Sequence, residues 1–349
     1  MKIEILNSFN YYIFDSLLLI MKNYGVYVFL CFLISAISVE AQETLPIYTD
    51  YLSDNVYLVH PSAAGFRDCS NIRLTARNQW SGINDAPSLQ TLNIHTKFGE
   101  KGGLGLIIFN DKNGYHSQQG IAGTYAYHLD LGNIEDYKKL SFGLSFMMVS
   151  NKLDESSFDI PDPVISQIVQ SENYFNADFS MAYHDVDFFS YFTVKNIMLS
   201  ARNLYNKDYE SFNLRRYLLS FGYYFDYYKN GKTLEFEPSV MIQYIERTSE
   251  KFVDFNMKVY KELPTAKLWA ALSYRRGFDN VDTQQLNYIS PIIGVNFEKY
   301  MLSYTYTKQS GEILFDDAGY HQITLGFNFG CFGTRRFWNE RGGKTNRMF

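Results

Sequence analysis

Alternating apolar and polar residues recur along this chain from about residue 71 to residue 330. Near the end of that region, Ile323, Leu325 and Phe327 interleave with Thr324 and Gly326. Because successive side chains of a β-strand point to opposite faces, each such run predicts a strand with one apolar, aromatic face and one polar face. A soluble sandwich needs fewer strands to bury its apolar faces. This many two-faced strands therefore predict a barrel with apolar side chains towards lipid and polar side chains towards the lumen.

The turn residues between the runs divide the region into about 14 strands. The predicted strands are 71–80, 88–98, 103–110, 117–129, 137–150, 174–185, 188–199, 213–228, 232–246, 253–261, 265–277, 286–296, 299–308 and 319–330. Every second connection is short, and the others are mostly longer, up to 151–173. Outer-membrane barrels have an even number of strands, short periplasmic turns and long external loops. The predicted fold class is therefore all-β, a transmembrane antiparallel β-barrel in the outer membrane with both termini periplasmic.

Composition agrees with a barrel and argues against other classes of protein. Aromatic residues make up 17% of the chain, with 29 Tyr and 29 Phe. The mean hydropathy is slightly negative, but a barrel carries apolar residues only at alternate positions, so this value is compatible with a membrane protein. The formal net charge is −5, from 32 basic and 37 acidic residues, which gives no indication of nucleic-acid binding.

The start of the chain has the pattern of a secretory signal peptide over 21–41. Met21 and Lys22 form a weakly basic start, an apolar core follows, and the small residues near Ala41 predict cleavage before Gln42. Residues 1–20 would then be an upstream extension, with Met21 as the initiator. A retained anchor helix is the alternative, although the apolar run is shorter than the roughly 20 residues that span a bilayer.

Two further segments flank the predicted barrel. Residues 42–70 have no clear period but carry several tyrosines, and we expect this apolar segment to pack under or inside the barrel as a periplasmic or plug-like element. Residues 331–349 form a short basic C-terminal tail with Arg335, Arg336, Arg341, Lys344 and Arg347. This tail either grips an acidic periplasmic partner or is solvated.

Charged residues on the polar faces predict a network in the lumen, since charges facing lipid are costly. The candidate members are Arg73, Arg77, Arg216, Glu235, Glu237 and Arg275. Such a network would fill the lumen and leave a narrow or closed channel. We interpret its role as structural, with a functional role as the alternative. Pro238 lies on the apolar face of a predicted strand and cannot donate to the ladder, so a bulge is expected there.

Two cysteines flank the predicted barrel. Cys69 precedes the first strand and Cys331 follows the last, whereas Cys31 lies in the targeting segment. In a closed barrel those two strands pair antiparallel, which places both cysteines on the same rim. A disulfide between them is one hypothesis, and two unpaired thiols are the other.

No pattern for catalysis, metal binding or a cofactor stands out. The chain has no G-x-S-x-G, H-E-x-x-H or Gly-rich phosphate motif. His95, His128 and His321 lie on predicted strands and are interpreted as structural, and the acidic loop at 154–162 as solvated rather than calcium-binding. We therefore predict no enzyme, no metal and no cofactor. A barrel enzyme with a Ser–His pair on one rim remains the alternative.

Several short segments together resemble the PorP/SprF family of outer-membrane proteins from the type IX secretion and gliding machinery of Bacteroidota. Among them, 60–65 resembles N-P-A-x-x-G, 77–80 resembles R-x-Q-W, 125–129 resembles YAYH-L and 234–239 resembles L-x-x-E-P-S. The matching positions are Pro61, Gly65, Arg77, Gln79, Trp80, Pro87, Asp111, Gly114, Tyr127, His128, Pro238, Arg275 and His321. The resemblance covers about 45–330 and is poor over about 173–212.

The resemblance implies a non-enzymatic barrel that works with the type IX translocon. Its expected partners are secretion components, the lipid bilayer and a secreted adhesin or other cargo with a C-terminal sorting domain. An outer-membrane channel or uptake porin for small solutes is the alternative function.

Overall fold

The computed structural model describes residues 51–67, 69–79, 86–132, 138–154, 169–198, 215–229, 232–246, 248–278, 287–310 and 319–331. The predicted upstream extension, the signal peptide and nearly all of the basic tail lie outside the described residues, as does Trp80. Within the described residues, no helix is long and apolar enough to cross a membrane.

Fourteen strands form a single antiparallel sheet. They are β1 (Ser70–Gln79), β2 (Ser88–Phe98), β3 (Gly102–Asn113), β4 (His116–Leu131), β5 (Lys138–Asp154), β6 (Val169–Asp185), β7 (Phe188–Lys195), β8 (in two pieces, Arg216–Tyr223 and Phe225–Lys229), β9 (Lys232–Ile245), β10 (Lys251–Glu262), β11 (Ala266–Phe278), β12 (Asn287–Phe297), β13 (Tyr300–Ser310) and β14 (Gly319–Phe329). Each strand pairs with the next along the chain, and β1 pairs with β14 from Ser70–Phe329 to Gln79–Tyr320. The sheet is therefore closed, which confirms the predicted 14-stranded barrel.

The break in β8 lies opposite Pro238 of β9. Ser239 is opposite Gly222 and Phe236 is opposite Phe225, so two residues of each strand lie between these pairs. No residue is inserted on either strand, and the predicted bulge is therefore wrong. Proline has no N–H group to donate, so the ladder loses its bonding at this point while the register continues unchanged.

The two faces of the sheet differ as the alternation predicts. On β5, Leu144, Phe146 and Met148 are exposed, whereas the intervening Ser145 and Val149 are almost completely buried. The same contrast holds around the barrel, because the exposed large side chains lie on the outer face and most of the buried polar side chains lie on the inner face. The outer face is thus an apolar, aromatic band of the kind that faces lipid.

The two rims of the barrel have different connections. Tight turns at 99–101, 186–187, 263–265 and 298–299 lie at one end, which we call the short-turn rim, and the opposite end is the long-loop rim. Gly99, Val186 and Glu298 adopt positive φ in these turns. Because β1 starts beside the end of β14, both ends of the barrel sequence lie at the short-turn rim.

Candidate functional site: a plug inside the barrel

Residues 51–66, which precede β1, lie inside the barrel and contact the inner face of most of its strands. We call this segment the plug. It contains two short 3₁₀ turns, Val56–Leu58 and Pro61–Ala63. Leu52 and Val59 are completely buried, so the plug supplies an apolar centre to a lumen whose wall is largely polar.

A charged contact holds the first part of the plug. The Asp54 carboxylate accepts hydrogen bonds from the Lys258 ammonium group on β10 and, at 3.3 Å, from the Asn296 amide on β12. Arg73 on β1 donates to the Asp54 carbonyl oxygen at 3.2 Å, and Lys258 also donates to the Leu52 carbonyl oxygen at 3.1 Å. One acidic residue of the plug thereby connects three strands of the barrel.

The pKa of Asp54 reflects these contacts. Burial by itself raises the pKa of this carboxyl group, but the positive charges of Lys258, Arg67 and Arg73 outweigh it. The pKa of Asp54 therefore lies well below its ordinary value of 3.8, and the group is ionised at neutral pH. Burial also raises the pKa of the Tyr57 hydroxyl above its ordinary value, which keeps this donor protonated.

Hydroxyl groups of the barrel hold the middle of the plug. The Tyr57 hydroxyl donates to Thr124 on β4 at 2.8 Å. The His60 ring is hydrogen-bonded through Nδ1 to Thr193 on β7 at 2.7 Å and through Nε2 to Ser220 on β8 at 3.2 Å. These groups are buried, so each bond satisfies polar atoms that would otherwise be costly to remove from water.

The last part of the plug is held through backbone atoms and two histidines. His128 Nε2 on β4 bonds the Ala64 carbonyl oxygen at 3.0 Å, and the Gly65 amide donates to His95 Nδ1 on β2 at 3.2 Å. A carbonyl oxygen can only accept, so the proton of the His128 ring is assigned to Nε2. His95 and His128 were predicted to be structural, and this is the role that their contacts give them here.

Glycines on the inner face make room for the plug. A β-carbon at Gly103 would lie 2.0 Å from the Ala64 carbonyl oxygen, and one at Gly105 would lie 2.3 Å from the Tyr57 hydroxyl oxygen. At Gly143 it would lie 2.3 Å from a backbone nitrogen of the plug. All of these distances are far below van der Waals contact, so any larger residue would displace the plug or the wall.

Four of the six predicted lumen charges are buried, and several form other pairs than those expected. Arg275 binds Asp254 through two bonds of 2.6 and 2.8 Å, and both side chains are 2% exposed. Arg77 donates twice to the Gln322 side-chain oxygen, at 2.9 and 2.8 Å. Arg73 bonds the plug, as described above. Asp254 follows the inner-face parity of β10, and that signal could have identified it from the sequence.

The two predicted glutamates lie further towards the short-turn rim. Glu235 pairs with Lys267 on β11 at 2.6 Å, and Glu237 accepts a hydrogen bond of 2.5 Å from Tyr260 on β10. Arg216 lies half-buried at the start of β8, at the opposite end of the strand pair. The six predicted residues therefore line the lumen at several levels and do not form one cluster.

The family-motif positions also separate into groups. Pro61, Gly65 and His128 meet at the plug, whereas Tyr127 and His321 are exposed on the outer face. The remaining described positions lie on the wall or in turns: Arg77, Gln79, Pro87, Asp111, Gly114, Pro238 and Arg275. Gly114 has a φ of 59° in the turn between β3 and β4, a conformation that glycine adopts without strain.

A disulfide joins Cys69 to Cys331 in the structure, across 262 positions of sequence. The two residues flank β1 and β14 at the short-turn rim. The bond therefore links the point where the plug leads into β1 to the end of the last strand.

Two Ser–His contacts bear on the alternative of a barrel enzyme. His60 contacts Ser220, and His128 Nδ1 contacts Ser141 at 2.8 Å. All four residues are buried, and the His128–Ser141 pair lies three residue pairs from the short-turn end of the β4–β5 ladder. The other ring nitrogen of His60 meets the Thr193 hydroxyl, where a catalytic triad has a carboxylate. His60 belongs to the plug, and His128 bonds the plug through its other ring nitrogen.

Three arginines of the inner face are almost inaccessible to solvent. Arg73, Arg77 and Arg275 are 2 to 3% exposed, although an open aqueous channel would hydrate guanidinium groups at these positions. The plug and the side chains around it therefore fill the lumen at these levels.

Fold and lumen together define a plugged β-barrel of the outer-membrane type. The chain belongs to the family of type IX secretion system membrane proteins PorP/SprF, whose family model matches residues 40–327. No curated protein matches the chain.

Among solved structures, the chain is similar to CdiB from Acinetobacter baumannii, with 9% identity and a TM-score of 0.42 over 75% of this chain and 60% of that one. It is similar to a bacterial polysaccharide outer membrane secretin, with 8% identity and a TM-score of 0.42 over 75% and 99%. It is also similar to BamA from Haemophilus ducreyi lacking POTRA domains 1–3, with 10% identity and a TM-score of 0.39 over 74% and 70%.

Proposed function

We propose that this protein docks, anchors or assists the export of a surface protein that bears a C-terminal sorting domain. Membership of the type IX secretion family supports a role alongside secretion components. The observation that carries the proposal is the filled lumen. Asp54, Tyr57 and His60 bind the wall on many sides of the barrel, and this arrangement favours a docking platform over a path for solutes.

The proposal includes an orientation. The short-turn rim faces the periplasm, so both termini and the Cys69–Cys331 bond lie on that side. This assignment follows the usual arrangement of outer-membrane barrels, in which short turns are periplasmic and long loops are external. The basic tail at 331–349 would then be available to an acidic periplasmic partner.

The decisive experiment is a pull-down of the tagged protein from gently solubilised outer membranes, with mass spectrometry of the associated proteins. A different tagged barrel from the same membrane is the control. Specific recovery of a large secreted protein with a C-terminal sorting domain, or of periplasmic secretion components, is the expected result. Recovery of the barrel alone, together with ohmic conductance in a planar bilayer, would establish the solute channel instead.

A truncation tests the tail separately. A chain that ends at Cys331 keeps the cysteine but lacks the basic residues that follow it. If the tail grips an acidic partner, the truncated protein recovers less of the periplasmic components at low salt, and recovery by the full-length protein decreases as the salt concentration rises. Equal recovery by both chains would show that the tail is only solvated.

A further inference from the structure

Three cations lie on the outer face beside the long-loop rim. They are Lys251 on β10, Arg276 on β11 and Lys308 on β13, and their inward neighbours are buried. In the part of the chain that the structure describes, none of the three forms an ion pair or a side-chain hydrogen bond, whereas Lys152 at the same rim pairs with Asp154 at 2.9 Å. Arg276 only stacks against the Phe278 ring, at 5.2 Å.

The strand register gives the spacing of the three cations and places Arg276 between the two lysines. Val253 is opposite Arg276, and Lys251 is two residues further along. Asn287 is opposite both Arg276 and Ser310, and Lys308 is two residues from Ser310. With strands about 4.8 Å apart and a rise of about 3.3 Å per residue, the backbone separation is about 8 Å from Lys251 to Arg276, about 12 Å from Arg276 to Lys308 and about 20 Å from Lys251 to Lys308. Long, flexible Lys and Arg side chains allow Arg276 and one neighbouring lysine to reach the same phosphate group, so the three cations together match a headgroup that carries more than one phosphate.

These three cations, which we call the patch, mark the edge of the apolar band at the long-loop rim. Below it, strands β11 to β14 expose Leu272, Ile289, Ile293, Leu302 and Ile323 to the outside. Further from the rim on the same face, the Tyr304 hydroxyl and His321 Nδ1 form an outward-facing hydrogen bond of 2.6 Å. Positive charge directly above lipid-facing aliphatic side chains is complementary to a molecule with acyl chains and an anionic headgroup.

We infer that Lys251, Arg276 and Lys308 bind the phosphate groups of a phosphorylated glycolipid in the outer leaflet. The inference rests on the orientation proposed above, in which the long loops are external. The glycolipid's acyl chains lie along the apolar band, and its phosphates meet the three cations. A free phosphate ion would lack the contact with the band, and a phospholipid would present a smaller headgroup to a patch this wide.

The test is a titration of the detergent-purified protein with lipid A, monitored by native mass spectrometry. An anionic phospholipid and inorganic phosphate are titrated in parallel. The test variant is Lys251→Gln/Arg276→Gln/Lys308→Gln. The matched control is Lys101→Gln/Lys261→Gln/Lys299→Gln, which removes three exposed cations near the short-turn rim that also lack ion pairs within the described residues.

We expect lipid A affinity to fall about 100-fold in the test variant, because each cation near an anionic surface contributes about fivefold. The control variant should bind as the unmodified protein does. If the triple variant does not fold, Lys308→Gln alone should weaken binding about fivefold. Unchanged affinity, an equal loss in the control, or tighter binding of phospholipid or phosphate than of lipid A would overturn the inference. The pull-down described above tests the proposed function independently of this result.

Discussion

At the residue scale, Gly103 is the described glycine at which an added β-carbon would come closest to another atom, 2.0 Å from the Ala64 carbonyl oxygen. We predict that Gly103→Ala destabilises the protein by about 1–3 kcal/mol, the usual cost of overpacking, because the new methyl group overlaps the Ala64 carbonyl. Gly123→Ala is the matched control, since a β-carbon on Gly123 meets nothing within 4 Å. Urea unfolding in detergent micelles measures both variants, and equal stabilities would contradict the steric account.

The buried pair between Asp54 and Lys258 gives a second prediction at this scale. Asp54→Asn should destabilise the plugged state by about 3–5 kcal/mol, because it leaves the Lys258 ammonium group buried without its counter-charge. Adding Lys258→Met should recover part of that loss. A double-mutant cycle of unfolding free energies checks this, and strictly additive effects would show that the two groups do not interact.

The lowered pKa of Asp54 also sets a pH dependence. A carboxyl group whose folded-state pKa is depressed contributes stability in full above its unfolded value. For Asp54 that contribution is complete above about pH 3.8 and is lost as the pH falls further towards the lowered pKa. Protease protection of the plug should therefore be constant near neutral pH and decrease only below about 3.8. The Asp54→Asn variant should lack this part of the acid transition.

At the element scale, the first and last strands are joined both by their ladder and by the Cys69–Cys331 bond. We predict that the unreduced protein migrates differently from the reduced one in denaturing electrophoresis. Cys69→Ser/Cys331→Ser should lose that difference and about 2–5 kcal/mol of stability, the range found when native disulfides are removed. Free thiols at both positions in the protein isolated from the membrane would show that they remain unpaired.

Sequence patterns predicted the strands correctly but not what happens where the pairing of two strands is interrupted. Alternation of two residue classes is a local property, so β5 and its buried Ser145 follow directly from it. The effect of Pro238 depends on how β8 meets β9, and neither run alone shows that the register continues across the break. The predicted bulge failed for this reason.

At the scale of the whole molecule, the plug decides whether the barrel conducts. We predict that the unmodified protein gives little conductance in a planar bilayer, and that replacing residues 51–66 by a Gly/Ser linker of equal length opens a measurable path. The linker keeps the length of the chain but removes Asp54, Tyr57 and His60 and their bonds to the wall. A linker variant that still does not conduct would mean that the wall side chains alone close the lumen.

The sequence by itself determined the class of fold, the number of strands and the face on which each side chain lies, because these depend on alternation between near neighbours. It also indicated that charges share the lumen and that the segment before β1 packs under or inside the barrel. Only the tertiary structure decided which groups meet. Asp54 and Lys258 are 204 positions apart, and Arg275 binds Asp254 rather than a glutamate. Such pairs arise when the sheet closes and brings distant strands around one segment, and no local pattern encodes that geometry.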